Sequence, residues 1–170
     1  MYSLNVPIPS AVRDLAADLR PALAGFDRVR ESRDRTLVLK RLPAEDRREY
    51  LRVERQAREA LAGAPAVEAA VTGIGVFRDP PNGPGPVIYL TIESPGLQQL
   101  HERLVETLGA VAELEGDGYV PHVTLARGDA EQALDRLRAR ELDETRFVID
   151  TLEFYDGRHG ERIDTLSLPS

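Results

Sequence analysis

YVPHVTLAR, at residues 119–127, is the stretch from which the fold and the chemistry of this chain can be predicted. Its β-branched and apolar residues predict a strand, and alternation along a strand places His122 and Thr124 on the same face. Pro121 predicts that this face opens at a sheet edge or a cleft, because proline cannot donate to a central ladder. An imidazole beside a hydroxyl can move a proton and bind a phosphate oxygen. A structural histidine on a half-buried strand is the alternative for an isolated H-x-T.

The composition narrows the class of protein. Of 170 residues, 42% are hydrophobic and 30% are charged, which is typical of one soluble domain with a sizeable core. The chain has no cysteine, which excludes disulfides, thiolate catalysis and cysteine-based metal sites. The net charge of -7 argues against coating of long nucleic acid but leaves room for a local phosphate site. Without an apolar run of membrane-spanning length or a signal peptide, we expect a cytoplasmic protein.

Hydrophobic periodicity and turn signals predict a similar order of strands and helices in the two halves of the chain. In the first half we expect strands at 2–8, 36–42 and 67–77, helices at 10–20 and 44–62, and a charged loop at 28–35. In the second half, after a turn-rich loop at 79–86, we expect strands at 87–93, 119–127, 146–155 and 162–168. Helices are expected to begin at Ser94-Pro95 and at a capping box of Asp129 and Gln132. This order predicts one α+β domain, residues 1–170, of two similar lobes.

The two halves also share a strand motif. TLVLKR (residues 36–41) and HVTLAR (residues 122–127) both end in Leu-x-Arg, and both lead into a helix. Aligned on that ending, the first strand has Thr36 in place of the histidine and Val38 in place of the hydroxyl residue. The half-site of the first strand is therefore incomplete.

With this repeated strand and the motif PHVTLAR (residues 121–127), the chain resembles the 2H phosphoesterase superfamily. Within it the chain is most similar to the 2′-5′ RNA ligase-like proteins, also called RNA 2′,3′-cyclic phosphodiesterases. The run GIGVF (residues 73–77) before VIYL (residues 87–90) is similar to a strand pair of that family. Glycine inside such a strand favours a bulge or close packing.

The resemblance implies two related β-α-β lobes whose antiparallel sheets flank a central cleft, with one H-x-T or H-x-S motif from each lobe. It implies metal-independent action, without a cofactor, on 2′,3′-cyclic or 2′-5′ phosphodiesters. The expected ligand is a nucleotide or an RNA-end phosphodiester, rather than a membrane or a long duplex. We expect the protein to be a monomer.

Catalysis of this kind has a plain chemical logic. Opening a cyclic phosphate needs a base for the attacking water and an acid for the leaving ribose oxygen, and two facing imidazoles supply both. Two hydroxyls can hydrogen-bond the equatorial oxygens. In this chain the resemblance assigns catalysis to His122 and Thr124 alone. Losing a positioned acid or base costs roughly 10²–10⁴ in rate, so the sequence predicts a retained half-site rather than full two-histidine catalysis.

Four other residues are candidates for substrate binding. Thr36 and Lys40, the only lysine of the chain, share parity on the first motif strand, so we expect both to face the cleft. For Lys40, the exposed end of an edge strand is the alternative. Arg41 and Arg127 have the opposite parity from the cleft residues, but they lie at strand ends where the chain can turn them inward. For both, a surface arginine is the alternative.

The remaining histidines do not predict a metal site, because the H-x-H and H-x-x-x-H spacings of zinc ligands are absent. His101, beside an inward-facing leucine on a helix, is interpreted as a boundary residue. His159 lies in a glycine-rich hairpin, where exposure to solvent is favoured over a reach toward the cleft.

Three hypotheses for the function follow. The first is a phosphodiesterase that uses one H-x-T half-site, and the second is a non-catalytic module of the same fold that binds a nucleotide or an RNA-end phosphate. The third is an α+β interaction protein whose H-x-T is structural. The third hypothesis predicts no affinity for phosphate ligands.

Overall fold

The computed structural model describes residues 1–81 and 83–169; Asn82, which belongs to the predicted turn-rich loop, and Ser170 lie outside the described residues. Within them the chain forms nine β-strands and four α-helices. The strands are β1 (Tyr2–Val6), β2 (Arg28–Val29), β3 (Leu37–Leu42), β4 (Val67–Phe77), β5 (Val87–Glu93), β6 (His122–Arg127), β7 (Thr145–Ile149), β8 (Thr151–Asp156) and β9 (Glu161–Ser167). The helices are α1 (Ser10–Leu19), α2 (Arg47–Ala60), α3 (Pro95–Leu108) and α4 (Glu131–Arg138).

Two antiparallel sheets organise these elements. The first sheet has the strand order β3-β1-β8-β9, and the second has the order β2-β6-β5-β4-β7. Helices α2 and α3 pack against each other, and α3 also contacts β3 of the first sheet and β4 of the second. The predicted α+β fold with two antiparallel sheets is confirmed.

The two sheets do not correspond to the two halves of the sequence. Strand β4 from the first half joins the second sheet, whereas β8 and β9 from the end of the chain join the first. The prediction of one strand at 146–155 is wrong, because β7 and β8 belong to different sheets and are separated at Asp150. The buried side chains change parity there, from Ile149 to Leu152 and Phe154. One regular strand could not bury all three on the same face.

Local capping signals account for two helix starts. The Ser94 hydroxyl caps α3 and Pro95 fills its first position, as predicted. Helix α2 begins at Arg47 rather than at residue 44, because the Asp46 carboxylate occupies the N-cap position and accepts a backbone N–H of the first turn.

Two other local predictions are wrong. Helix α4 has Ala130 at its N-cap position with no side-chain cap bond, so Asp129 and Gln132 do not form a capping box. The segment 28–35, predicted as loop, contains β2, which pairs antiparallel with the end of β6. This strand has two residues within a charged segment, so it shows no hydrophobic alternation that would predict a strand.

A β-bulge interrupts motif strand β3. Val38 and Lys40 pair with consecutive residues of β1, so Leu39 between them is the extra residue of the ladder. The bulge reverses the alternation of side chains, and Leu39 and Lys40 are therefore both buried, whereas Arg41 is partly exposed.

Motif strand β6 has a bulge at the equivalent position. Thr124 and Ala126 pair with consecutive residues of β5, so Leu125 is the extra residue. In both strands the first, third and sixth residues of the motif are partly exposed, and the fourth and fifth are buried. The internal alignment made from the sequence therefore matches equivalent backbone positions.

Candidate active site

A cavity of about 440 Å³ is lined by residues of both motif strands. The residues at the first, third and sixth motif positions all contribute to it: Thr36, Val38 and Arg41 from the first strand, and His122, Thr124 and Arg127 from the second. Arg30, Asp79 and Glu113 add charged side chains to its wall. Five of the six residues predicted for the site thus lie around one cavity, and the sixth, Lys40, does not.

His122 is held in one orientation and one tautomer. Its Nδ1 lies 2.6 Å from the carbonyl oxygen of Val120. Because a carbonyl oxygen only accepts, Nδ1 carries the proton, and Nε2 of the neutral ring has a free lone pair. Burial lowers the pKa of His122, and the charges of Arg41 and Arg127 lower it further, against a smaller opposite effect of the Val120 hydrogen bond. The ring is therefore neutral at pH 7 and able to accept a proton at Nε2.

The end of β6 that carries His122 lies at an open sheet edge, as Pro121 predicted. Among the described residues, strand β2 pairs only with Ala126 and Arg127 of β6, and the last backbone hydrogen bond on that side runs from Arg30 N–H to Leu125 O at 2.8 Å. On the other side, the Pro121 carbonyl accepts from the backbone of β5.

Two aromatic residues that the sequence did not identify support the imidazole. The rings of Phe77 and Tyr89 stack at 4.2 Å, and both meet the His122 ring edge-on, at centroid distances of 5.2 and 5.3 Å. The Tyr89 ring lies over Gly75, where an added Cβ would come within 2.5 Å of the phenol oxygen. The predicted close packing at this glycine is confirmed, and the predicted bulge lies beside Gly73.

Arg41 and Arg127 both line the cavity, although simple alternation placed them on the opposite face. The bulges at the fourth motif position explain the difference, because each bulge returns the sixth residue to the face of the first and third. The Arg127 guanidinium donates from Nη1 to the Pro84 carbonyl at 3.3 Å. Burial lowers the pKa of Arg127, as do the neighbouring charges of Arg30 and Arg28.

The expectation that Lys40 faces the cleft is wrong for the same reason. Its side chain is 1% exposed, and Nζ donates to Glu115 Oε1 at 2.6 Å and to the Arg41 carbonyl at 2.7 Å. Burial acts to raise the pKa of Glu115, but hydrogen bonds from Lys40 and from the backbone N–H groups of Arg41 and Val111 outweigh it, so that the pKa lies below its usual value. Lys40 is therefore the partner of a buried carboxylate at the edge of β3 and does not line the cavity.

Side chains from α3 and the following loop cover the free edge of β3. Glu115 accepts from the Arg41 N–H at 2.8 Å, and the Tyr119 hydroxyl donates to the Val38 carbonyl at 2.8 Å. His101 Nδ1–H donates to the Leu39 carbonyl at 2.8 Å. These bonds satisfy edge-strand groups that would otherwise lie exposed or unpaired, and they hold the first motif strand in place.

The other two histidines lie outside the cavity. His101 is fully buried and uses both ring nitrogens, since Nε2 accepts from the Gly116 N–H at 2.9 Å; the prediction of a boundary residue is wrong. His159 is exposed in its turn and lies 2.7 Å from Asp156, which confirms the exposed interpretation. Among the described residues, no group of three or more His, Asp or Glu side chains could hold a metal ion. No helix in residues 1–81 and 83–169 is long and apolar enough to cross a membrane.

Two motif strands from two antiparallel sheets around one cavity form the arrangement of the 2H phosphoesterase superfamily, which includes 2′-5′ RNA ligase-like and phosphoesterase enzymes. The family model described as 2′-5′ RNA ligase superfamily matches residues 36–161. The chain belongs to this family. The match begins at Thr36, the first residue of the degenerate motif.

Solved structures share the fold over the full length. The protein TT0787 of Thermus thermophilus has a TM-score of 0.66 at 20% identity, covering 98% of this chain and 97% of that one. Escherichia coli LigT complexed with 3′-AMP has a TM-score of 0.65 at 16% identity, covering 99% and 98%. Usb1 of Kluyveromyces marxianus has a TM-score of 0.52 at 13% identity, covering 99% and 96%. A comparison with curated proteins finds no significant match.

Proposed function

We propose that this protein is a metal-independent phosphodiesterase that acts on 2′,3′-cyclic or 2′-5′ phosphodiesters of RNA ends or nucleotides through one H-x-T half-site. The supporting observation is that His122, Thr124 and Arg127 line the same cavity as Thr36 and Arg41 of the opposite motif strand. Membership of the 2′-5′ RNA ligase superfamily supports a phosphodiesterase activity. Structures of the fold relative LigT with 3′-AMP, ATP, NADP+ and phosphate support a nucleotide ligand.

In the proposed reaction, water attacks the phosphorus of a cyclic phosphate while His122 Nε2 accepts the proton of the water. A P–O bond to the ribose breaks, and the product is a phosphomonoester. The Thr124 hydroxyl donates to an equatorial oxygen, and Arg127 and Arg41 neutralise the charge that develops there. The ribose oxygen takes its proton from solvent, because Thr36 stands where the second imidazole would supply it.

The alternative is a non-catalytic module that binds a nucleotide or an RNA-end phosphate in the same cavity. It is favoured by the first motif strand, where Thr36 and Val38 offer neither an imidazole nor a second hydroxyl at the third position, while Arg41 keeps its positive charge. Such a site retains anion binding and loses the acid.

One assay separates the two functions. Hydrolysis of 2′,3′-cyclic nucleotides and of RNA with a cyclic end is measured for the wild type and for His122→Ala, together with the affinity for 3′-AMP. The phosphodiesterase proposal expects slow turnover that falls by roughly 10²-fold or more in His122→Ala. Turnover that survives His122→Ala contradicts it, and binding without turnover favours the module.

A further inference from the structure

Three arginines from two neighbouring strands lie on the cavity face of the second sheet. Arg28 of β2 is directly opposite Arg127 of β6 in the ladder, so the two side chains share a face. Arg30 continues β2 by two residues and has the same parity as Arg28, and its N–H bonds to Leu125. The three guanidinium groups therefore point to one side of the sheet.

This arrangement is electrostatically unfavourable in the free protein. Like charges directly opposite each other in a ladder are destabilising, and the charges of Arg30 and Arg28 contribute to lowering the pKa of Arg127. Among residues 1–81 and 83–169, no carboxylate forms an ion pair with Arg28 or Arg30. A chain with a net charge of -7 has ample acidic residues to neutralise these two arginines. Arg30 Nη1 donates to the Asp34 carbonyl at 3.1 Å, but a carbonyl carries no formal charge. The lack of a carboxylate counter-ion for the two arginines favours a site for an external anion.

The cluster surrounds a second cavity next to the first. This cavity has a volume of about 380 Å³, and its described lining consists of Arg28, Val29, Arg30, Gly83, Pro84 and Arg127. Arg30 and Arg127 line both cavities, so the two are adjacent. The first cavity includes the acidic residues Asp79 and Glu113, whereas the described lining of the second contains no acidic side chain.

We propose that Arg28, Arg30 and Arg127 form a subsite for a second phosphate group of the ligand whose first phosphate lies beside His122. Guanidinium groups suit phosphate oxygens because they donate two parallel, charge-assisted hydrogen bonds. The ligand class is therefore a nucleotide with at least two phosphates, and a nucleoside with a single cyclic phosphate occupies only part of the site. The second phosphate comes from the next linkage of an RNA chain or from the 5′ position of a free nucleotide. This inference rests on the proposed function, because it takes the first phosphate to bind beside His122.

Binding of unreactive monoesters tests the subsite without turnover. Dissociation constants are measured by calorimetry for 3′-AMP, which has one phosphate, and for adenosine 3′,5′-bisphosphate, which has two. The wild type is compared with Arg28→Gln, because Arg28 lines the second cavity and not the first. Arg33→Gln is the matched control, since it removes the same charge from an exposed residue that lines neither cavity.

The second phosphate is expected to raise the affinity of the wild type by about tenfold or more, as for a charge-assisted hydrogen-bonded pair. Arg28→Gln should reduce this ratio of affinities by about tenfold, and Arg33→Gln should leave the ratio unchanged. The ratio should also fall as salt is added, because partly exposed charges are screened. The dinucleotide ApAp, whose second phosphate is a diester, tests whether the second phosphate belongs to an RNA chain or to a free nucleotide. If ApAp binds more tightly than 3′-AMP and the gain in affinity depends on Arg28, the ligand is an RNA end. If only the bisphosphate shows the gain in affinity, the ligand is a free nucleotide.

Equal affinities for the two adenosine ligands overturn the inference, as does a ratio that Arg28→Gln leaves unchanged. If 3′-AMP binds and the second phosphate adds nothing, the proposed function stands and only the subsite is lost. If neither ligand binds, the proposed function fails and the inference fails with it.

Discussion

Replacing Thr36 by His and Val38 by Thr should complete the second half-site. Both residues line the cavity, at motif positions equivalent to those of His122 and Thr124 relative to the two bulges. The new imidazole would supply the acid that the proposed reaction lacks. The double variant changes no backbone bond of β3, because the Tyr119 hydroxyl binds the carbonyl of residue 38 and not its side chain.

The size of the effect follows from the two groups added. A positioned general acid contributes roughly 10²–10⁴ in rate. A donor to a transition-state oxygen contributes about 10²–10³ where its removal has been measured in other enzymes. Because the new side chains are not supported by packing designed for them, we expect a gain of at least about 10²-fold in kcat on a 2′,3′-cyclic nucleotide.

Initial rates for the wild type, the two single variants and the double variant measure this gain. A p-nitrophenyl phosphodiester is the matched substrate, because its leaving group needs no proton and Thr36→His should hardly change its rate. Adding His122→Ala to the double variant should return the rate on the cyclic nucleotide to that of a single-histidine site. A folded double variant that is no faster than the wild type on the cyclic substrate would refute the assignment of Thr36 to the position of the missing acid.

Three further outcomes are expected. Glu115→Gln leaves a buried ammonium without its counter-charge and should lower the free energy of unfolding by about 3–5 kcal/mol in urea titrations. Because the folded-state pKa of Glu115 is depressed, its contribution to stability is present above about pH 4.3 and is lost as the pH falls. The stability of the variant should therefore fall less steeply with acid than that of the wild type, and an equally steep fall would contradict this. Gly75→Ala should displace Tyr89 and cost about 1–3 kcal/mol of stability. Gly73→Ala is the control, because open space surrounds its added Cβ. Equal losses of stability in thermal melts of the two variants would argue against the packing of Tyr89 on Gly75. The pKa of His122 in the free protein is lowered, and a base acts in its deprotonated form, so kcat/KM, which reports the free enzyme, should stay constant as the pH falls to about 6.5 and decline only below that value. A decline of kcat/KM centred above about pH 6.5 would exclude His122 as the base.

The features that the sequence predicted correctly depend on neighbours along the chain. His122 and Thr124 are two residues apart on one strand, so local alternation is enough to place them on one face. Ser94 caps the helix that starts one residue later. These relations hold in any fold that contains the same strand and helix, and they needed no knowledge of the other sheet.

Lys40 and Arg41 face the opposite sides from those that alternation predicts, and the reason lies in a partner strand. Alternation predicts the facing of a side chain only while the ladder is regular, and the bulge at Leu39 arises from the register that β3 adopts with β1. One signal was available in the sequence: Ala126, at the motif position equivalent to Lys40, is a small apolar residue typical of a buried site. The buried partner of Lys40 could not be predicted, because Glu115 lies in a loop that follows α3.

The two motif strands differ in the kind of free energy that they can supply. Each motif strand has an arginine at its sixth position, Arg41 on the first and Arg127 on the second. Positive charge near a phosphate stabilises the bound ligand as well as the transition state. His122 stands on one strand only, and an acid or a base acts chiefly in the transition state. A site that keeps both arginines and one histidine should therefore lose much more rate than affinity relative to a two-histidine site. The enzyme hypothesis and the binding-module hypothesis both predict affinity for a phosphate ligand. Only the enzyme hypothesis predicts measurable turnover of a substrate with a poor leaving group, so that rate distinguishes the two.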